Sequence, residues 1–299
     1  MYLSGIADEA SQDIDVQIQV TQDLGWNAIE SRNINGKNIH DISHEDFEKV
    51  CKKLKDSDVY INSFASAIGN WAKDVRDDFS ITMAEIDRAL PRMKRLGTKA
   101  IRIMSYKVLE GEDQFIKERY RRLNQIQAIF SGEGITVLHE NCMNYCGMSY
   151  QHTLDLLEKV PGIKLVFDTG NPVIIKDASK QEDLWQDSWD FYSHVKDHIA
   201  YVHIKDGLNP DPENNKESYT FPGEGQGYVK EILADLKEIG YDGGISIEPH
   251  LASVFHDGDA RNTKLQNPVE IYKSYGEKLM NLLKSIDYKP KLFRPNELI

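Results

Sequence analysis

Four short apolar runs in the second half of the chain each close on a side chain able to hold a cation. Ile135-Thr-Val-Leu-His-Glu140 ends on Glu140, Ile163-Lys-Leu-Val-Phe-Asp168 on Asp168, Ala200-Tyr-Val-His203 on His203, and Gly244-Ile-Ser-Ile-Glu248 on Glu248. Taken singly, a carboxylate at such a place reads as a solvated residue or a helix cap, and a histidine as a satisfied core imidazole. Four of them at equivalent places on consecutive runs can converge on one point. Three carboxylates so close together would repel and raise one another's pKa, which is itself a reason to expect a cation among them. The set is hard, with one borderline nitrogen. It favours Mn²⁺, Mg²⁺ or Co²⁺ over a thiolate-seeking metal, with Zn²⁺ still allowed by ligand type.

The elements that must position these groups follow from the periodicity. Short β-branched runs alternate with helical patterns that close on glycine, at intervals of roughly 30 to 45 residues. The strand candidates are Tyr2–Ile6, Ala28–Glu30, Val59–Phe64, Lys99–Met104, Ile135–Glu140, Ile163–Asp168, Ile199–Ile204 and Gly244–Glu248. Among the helices, Ser43 is an expected N-cap with Asp46 three residues on, followed by Phe47, Val50, Cys51 and Leu54 on one face. Phe115, Ile116, Tyr120, Leu123, Ile126 and Phe130 predict another apolar face, and Leu184, Trp185, Trp189, Tyr192 and Val195 a third. Further helices are expected through Leu154, Leu157 and Val160, and from Val229 to Ile239. Eight such units with no linker between them predict a single (β/α)8 TIM barrel over 1–286, with 287–299 as a tail. Its residues Lys289 to Ile299 are expected to wrap the barrel or reach a neighbouring subunit of a homo-oligomer. An open dinucleotide-binding sheet would need a glycine-rich turn after an early strand, and none is present.

In such a barrel chemistry sits at the C-terminal strand ends. Lys205 lies two residues beyond His203 and shares its face. It either binds a substrate oxygen or phosphate, or closes an ion pair with Asp206 or another carboxylate. His250 follows Glu248 at the same spacing and is a candidate substrate contact. Trp71, in the polar loop after the third strand, either stacks on a substrate ring or packs within the protein. The stretch from Lys205 to Gly227, with Pro210, Pro212, Pro222 and four glycines, is too long for an ordinary βα connection and predicts a lid.

Composition narrows the classes. Lys plus Arg is 36 and Asp plus Glu is 48, a net charge of −12 over 299 residues, so the surplus of cations that general nucleic-acid binding requires is missing. No apolar run approaches the roughly 18 residues of a membrane span, and the opening MYLSGIADEASQ has no basic n-region; a cytoplasmic protein is expected. Cys51, Cys142 and Cys146 cannot form a disulfide framework and lack the partners for a thiolate zinc site, which leaves free thiols.

Between Ile135 and His250 the chain resembles the sugar isomerase/epimerase group of xylose-isomerase-like barrels. That group includes tagatose and psicose 3-epimerases, inosose dehydratases and isomerases, and an apurinic endonuclease branch. The resemblance is carried, in order and spacing, by Glu140-Asn141, Phe167-Asp168-Thr169-Gly170-Asn171, Val202-His203-Ile204-Lys205-Asp206, Pro222-Gly223-Glu224-Gly225 and Gly240-Tyr241-Asp242-Gly243-Gly244-Ile245-Ser246-Ile247-Glu248. In the N-terminal half it rests on the βα rhythm and on Leu24 to Glu30. It implies one divalent ion held by Glu140, Asp168, His203 and Glu248, with Glu140 and Glu248 on opposite faces of a bound carbohydrate or cyclitol. It also implies Asn141 and Asn171 beside the substrate. Isomerisation or epimerisation through an enediolate is the implied activity. Dehydration of a keto-sugar or keto-cyclitol and cleavage of a 3-keto-glycoside start from the same step and stay open, as does a non-catalytic barrel subunit. The endonuclease branch uses further histidines where this chain has Ser63-Phe64-Ala65-Ser66, Met104-Ser105-Tyr106 and Asn171, which argues against DNA repair.

Overall fold

A computed structural model describes residues 1–111, 113–211, 218–252 and 267–295 of the chain. Pro212 of the expected lid and 296–299 of the expected tail lie outside the described residues. Eight parallel strands form one sheet: β1 (Tyr2–Gly5), β2 (Ala28–Ser31), β3 (Tyr60–Ala65), β4 (Ala100–Ile103), β5 (Thr136–Glu140), β6 (Lys164–Asp168), β7 (Ile199–Ile204) and β8 (Gly244–Ile247). Pairing runs β1-β8-β7-β6-β5-β4-β3-β2, and β1 and β2 lie side by side at the seam, where Ser4 Oγ donates to Ala28 O at 3.2 Å. The result is a nearly closed (β/α)8 barrel, as the periodicity predicts.

The helices are α1 (Ile14–Asp23), α2 (His44–Ser57), α3 (Phe79–Leu96), α4 (Ile116–Gly132), α5 (Tyr150–Lys159), α6 (Ser188–Val195), α7 (Val229–Glu238) and α8 (Pro268–Ser285). In α2 the Ser43 hydroxyl accepts the Asp46 N–H at 3.0 Å, and Phe47, Val50, Cys51 and Leu54 are buried against the barrel. Six expected apolar positions are exposed instead: Phe115, Ile116, Leu154, Leu184, Trp189 and Ile239. Phe115 is the left-handed residue that starts α4 and Ile116 its exposed first position; Leu154 yields its place in the core to Leu156, and Ile239 caps α7 from outside. The expected third face also starts later. Asp187 accepts the Asp190 N–H at 2.7 Å and sets the start of α6 at Ser188, so Leu184 and Trp185 belong to the preceding loop and Phe191, Tyr192 and Val195 make the buried face. A cap fixes a boundary that a 3.6-residue pattern can slide past.

Strand alternation arranges the interior in layers. Tyr2, Ala28, Ala100, Leu138, Val166 and Tyr201 form one apolar cluster. Two residues further along the same strands, on the same inward face, stand Ser4, Glu30, Arg102, Glu140, Asp168 and His203, all buried. The apolar layer is the floor and the polar layer rests on it. From below, the chain after α8 crosses the floor: Lys291 N–H donates to Met1 O at 2.9 Å, Phe293 N–H to Asn27 Oδ1 at 2.9 Å, and the Phe293 ring lies 4.8 Å from Tyr2. Among the described residues no helix is long and apolar enough to cross a membrane.

Candidate metal centre at the barrel mouth

One donor atom from each of Glu140, Asp168, His203 and Glu248 falls within 4.8 Å of the others, and all four residues are buried. His203 Nδ1 faces the group, 3.5 Å from Glu140 Oε1, 3.5 Å from Glu248 Oε2 and 3.9 Å from Asp168 Oδ2. The far nitrogen explains that orientation. His203 Nε2 pairs with Glu30 Oε2 at 2.9 Å, so the ring proton is drawn to Glu30 and the Nδ1 lone pair is turned inward.

Each glutamate is held by a guanidinium, buried at Arg102 and half-buried at Arg32, through the oxygen that points away. Arg102 Nη1 donates to Glu140 Oε2 at 2.6 Å and Arg32 Nη1 to Glu248 Oε1 at 2.8 Å. Asp168 Oδ1 accepts the N–H groups of Gly170 and Asn171 at 2.8 and 2.7 Å, which turns Oδ2 toward the centre. Asp168 Oδ2, His203 Nδ1 and Glu248 Oε2 are buried without a hydrogen bond, although the Lys205 ammonium approaches the two carboxylate oxygens to 3.1 and 2.9 Å.

A divalent cation fits this donor set. Among the described residues the interior brings Asp8, Glu9, Glu30, Glu140, Asp168 and Glu248 together with three permanent cations, Arg32, Arg102 and Lys205. The surplus of negative charge lies where the inward-facing donor atoms meet. Burial pushes the Glu140 carboxyl up, and the Arg102 guanidinium more than reverses this, holding it below the usual carboxylate range. Burial acts on Glu248 in the same way and is outweighed first by Lys205. At Asp168 burial wins over Lys205 and the carboxyl rises to about 6. One carboxylate of the trio is therefore poorly stabilised by the protein's own cations.

The expected substrate contacts fall into four groups. Lys205 and Asn171 line the centre: Lys205 Nζ donates to Asn171 Oδ1 at 3.1 Å, and Asn171 Nδ2 to Glu140 Oε1 at 3.3 Å. The ion pairs of Lys205 are with Asp168 and Glu248, while Asp206 turns away and accepts the N–H groups of Gly207, Gly223, Gly225 and Gly227 at 2.8–3.0 Å. Asn141 spans the backbone of Asp168, donating to its carbonyl at 3.0 Å and accepting its N–H at 2.7 Å, so it positions a ligand strand. His250 adjoins the centre through Glu248 Oε1, 4.0 Å from its Nε2, and its Nδ1 lies 2.8 Å from Glu9 Oε1. Trp71 stands apart from the four donors, half-buried in the wall of a separate cavity at the mouth.

Sequence reasoning missed Glu30, Arg32, Arg102 and Glu9. Alternation signals the strand residues: Glu30 and Arg102 each lie two places after an inward alanine, Ala28 and Ala100. Arg32 and Glu9 sit in connections, where alternation says nothing.

The sequence profile of the Xylose isomerase-like TIM barrel family matches residues 18–274. No curated protein sequence matches the chain. Among solved structures, the probable 3-DHS dehydratase of petrobactin synthesis from Bacillus anthracis superposes with a TM-score of 0.67 at 18% identity, over 94% of this chain and 99% of that one. A xylose isomerase-like TIM barrel protein from Mycobacterium smegmatis in complex with magnesium gives 0.69 at 14% identity, over 96% and 97%. D-psicose 3-epimerase in the presence of D-fructose gives 0.66 at 15% identity, over 97% and 100%.

Proposed function

The chain belongs to the Xylose isomerase-like TIM barrel family, and on that footing we propose that it enolises a keto-sugar, a keto-sugar phosphate or a keto-cyclitol, as an isomerase or epimerase. The observation that carries this is the convergence of Glu140, Asp168, His203 and Glu248 on one buried point with their donor atoms turned inward. Those four residues would hold one divalent ion, Mn²⁺, Mg²⁺ or Co²⁺ by ligand type. Bound there, it would polarise a carbonyl and its neighbouring hydroxyl and so stabilise the enediolate.

The protein's own groups supply the rest. Glu140 and Glu248 are the proton-transferring pair: one takes the proton from the carbon beside the carbonyl, and the other returns a proton to the opposite face or to the adjacent carbon. Arg102 and Arg32 fix the orientation of the two carboxyl groups through the oxygens that point away. The group that abstracts enters ionised and the group that returns a proton to the opposite face enters protonated. Lys205, buried beside Asp168 and Glu248, is placed to donate to a substrate oxygen as negative charge develops on it. Burial of the whole group keeps bulk water from quenching the intermediate.

Dehydration is the second reading. The same Lys205 ammonium could protonate a departing β-hydroxyl after enolisation, and a probable dehydratase is among the structural neighbours. Cleavage of a 3-keto-glycoside would follow the same course with a sugar oxygen leaving. Proton exchange decides the shared step. Protein supplied with Mn²⁺ in D₂O is expected to place deuterium beside the carbonyl of at least one member of a panel of ketohexoses, their phosphates, inososes and 3-keto-glucosides. Glu140→Gln and Glu248→Gln should each slow exchange by about 10²–10⁴-fold. Turnover without solvent exchange, unaffected by both substitutions, would refute the proposal.

A further inference from the structure

A cavity of about 730 Å³ opens on the same face of the barrel as the buried cluster, and the proposed chemistry does not use it. Its walls come from the loops that follow β3 to β7, the loops that also lead away from the cluster. Met143 is three residues beyond Glu140 and Ile174 three beyond Asn171, so their Cα atoms lie within about 11 Å of those residues. The cavity is distinct from the buried cluster but borders the same loops, and its volume falls in the ~300–1,000 Å³ range of small-molecule pockets.

The lining is apolar and aromatic. Trp71 and Trp185 stand half-buried in it with Met143 and Met148, a pairing of flat rings with soft, adaptable thioethers that favours aromatic guests. Val108 is 41% exposed at its edge, an apolar surface that a guest would cover. The two lysines of the wall are matched by acids: Lys107 Nζ lies 2.9 Å from Asp74 Oδ2, and Lys176 Nζ 3.2 Å from Asp183 Oδ2. Lys176 also sits 3.6 Å above the Trp185 ring, which it holds in place as part of the wall. The charges are answered within the protein, so the cavity selects a neutral guest.

We propose that this cavity binds an uncharged aromatic substituent carried by the keto-sugar or keto-cyclitol, so that the substrate is an aryl derivative with its reacting carbons at the buried cluster and its ring between the tryptophans. The inference rests on the enolisation reading for the position of the reacting carbons and on the cavity for the rest. It places the protein's substrates among aryl glycosides oxidised at a ring carbon, whose carbonyl must come from a preceding dehydrogenation of a sugar hydroxyl.

Binding separates the two parts. Phenyl β-D-glucopyranoside and methyl β-D-glucopyranoside carry no carbonyl, so neither can be enolised, and both are titrated calorimetrically into the Mn²⁺-supplied protein. The phenyl compound is expected to bind at least about tenfold more tightly, and Trp185→Ala to remove most of that advantage. Val108→Asp, at an exposed position that does not threaten folding, should lower phenyl binding severalfold and leave methyl binding alone. Equal binding of the two glucosides, or no detectable binding of either, would overturn the proposal. So would a dimer in sedimentation that Val108→Asp dissolves, since a second copy would then fill the cavity. Deuterium exchange into plain keto-sugars without a phenyl preference rejects the cavity proposal and keeps the reaction. A phenyl preference without exchange into any keto compound, phenyl 3-keto-glucoside included, rejects the reaction and leaves an aryl site.

Discussion

At the scale of single residues, Glu30 orients His203, one of the four proposed metal ligands. Its carboxylate accepts the Nε2–H hydrogen bond at 2.9 Å, which holds the tautomer and raises the basicity of Nδ1. Glu30→Gln keeps an acceptor and loses the charge. Mn²⁺ affinity, followed by electron paramagnetic resonance of free Mn²⁺, is expected to fall about 10–100-fold with the circular dichroism unchanged. An unaltered affinity would mean that Glu30 only fills space. His40 carries a different kind of information, about stability. It is fully buried in the loop after β2, and burial pushes its imidazole down to about 4 against the pull of Asp41. Folded, it stays neutral below pH 6.5, where the unfolded chain already binds the proton. Between about pH 4 and 6.5 the unfolded state therefore holds more protons, so stability is greatest above 6.5 and declines as the pH drops toward 4, by at most about 3 kcal/mol from this group. Urea melts across that window should show a shallower pH slope for His40→Gln than for the wild type.

At the scale of elements, the segment after β7 is tied down at one point. Asp206 accepts four backbone N–H groups from glycines on both sides of the loop, and a Cβ on Gly225 would stand 2.3 Å from its Oδ1 and 2.4 Å from the Gly207 carbonyl. Only glycine lets the two strands of backbone approach so closely. A short antiparallel ribbon, Asp206–Leu208 with Ser218–Thr220, grows from this anchor. Asp206→Ala strands those donors at a cost of about 1–3 kcal/mol. Limited proteolysis should then cut within 205–227 well before the barrel itself, and equal resistance of variant and wild type would show that the anchor is dispensable.

At the scale of the whole molecule, the barrel is finished by a segment far from it in sequence. Phe293 packs at a tilt against Tyr2 beneath the apolar floor, and Asn27 holds its backbone through two hydrogen bonds of 2.9 and 3.1 Å. The polar layer rests on that floor, so the tail supports the site from below without touching it. Phe293→Ala removes a half-buried ring and is expected to cost about 1–2 kcal/mol in chemical denaturation. Mn²⁺ affinity should not change. A large loss of Mn²⁺ binding at preserved stability would show instead that the floor transmits strain to the cluster.

The order of the eight units, the inward face of each strand and the four donors were legible in the chain because each depends on local periodicity. A run such as Ile163 to Asp168 alternates, so Asp168 shares the face of Val166 whatever the neighbouring strands do. The same rule carried to Ala28-Ile29-Glu30 and Ala100-Ile101-Arg102 would have flagged Glu30 and Arg102 as inward. It could not have said that Glu30 meets His203, 173 residues away, or that Arg32 meets Glu248 across 216. Those partners are chosen by the stagger of strands around the closed sheet and by the paths of the connections, and neither leaves a repeat in the sequence. Local alternation determined which side chains enter the barrel. Only closure of the sheet decided which charges answer one another, because Coulomb and hydrogen-bond energies act across space and are indifferent to distance along the chain.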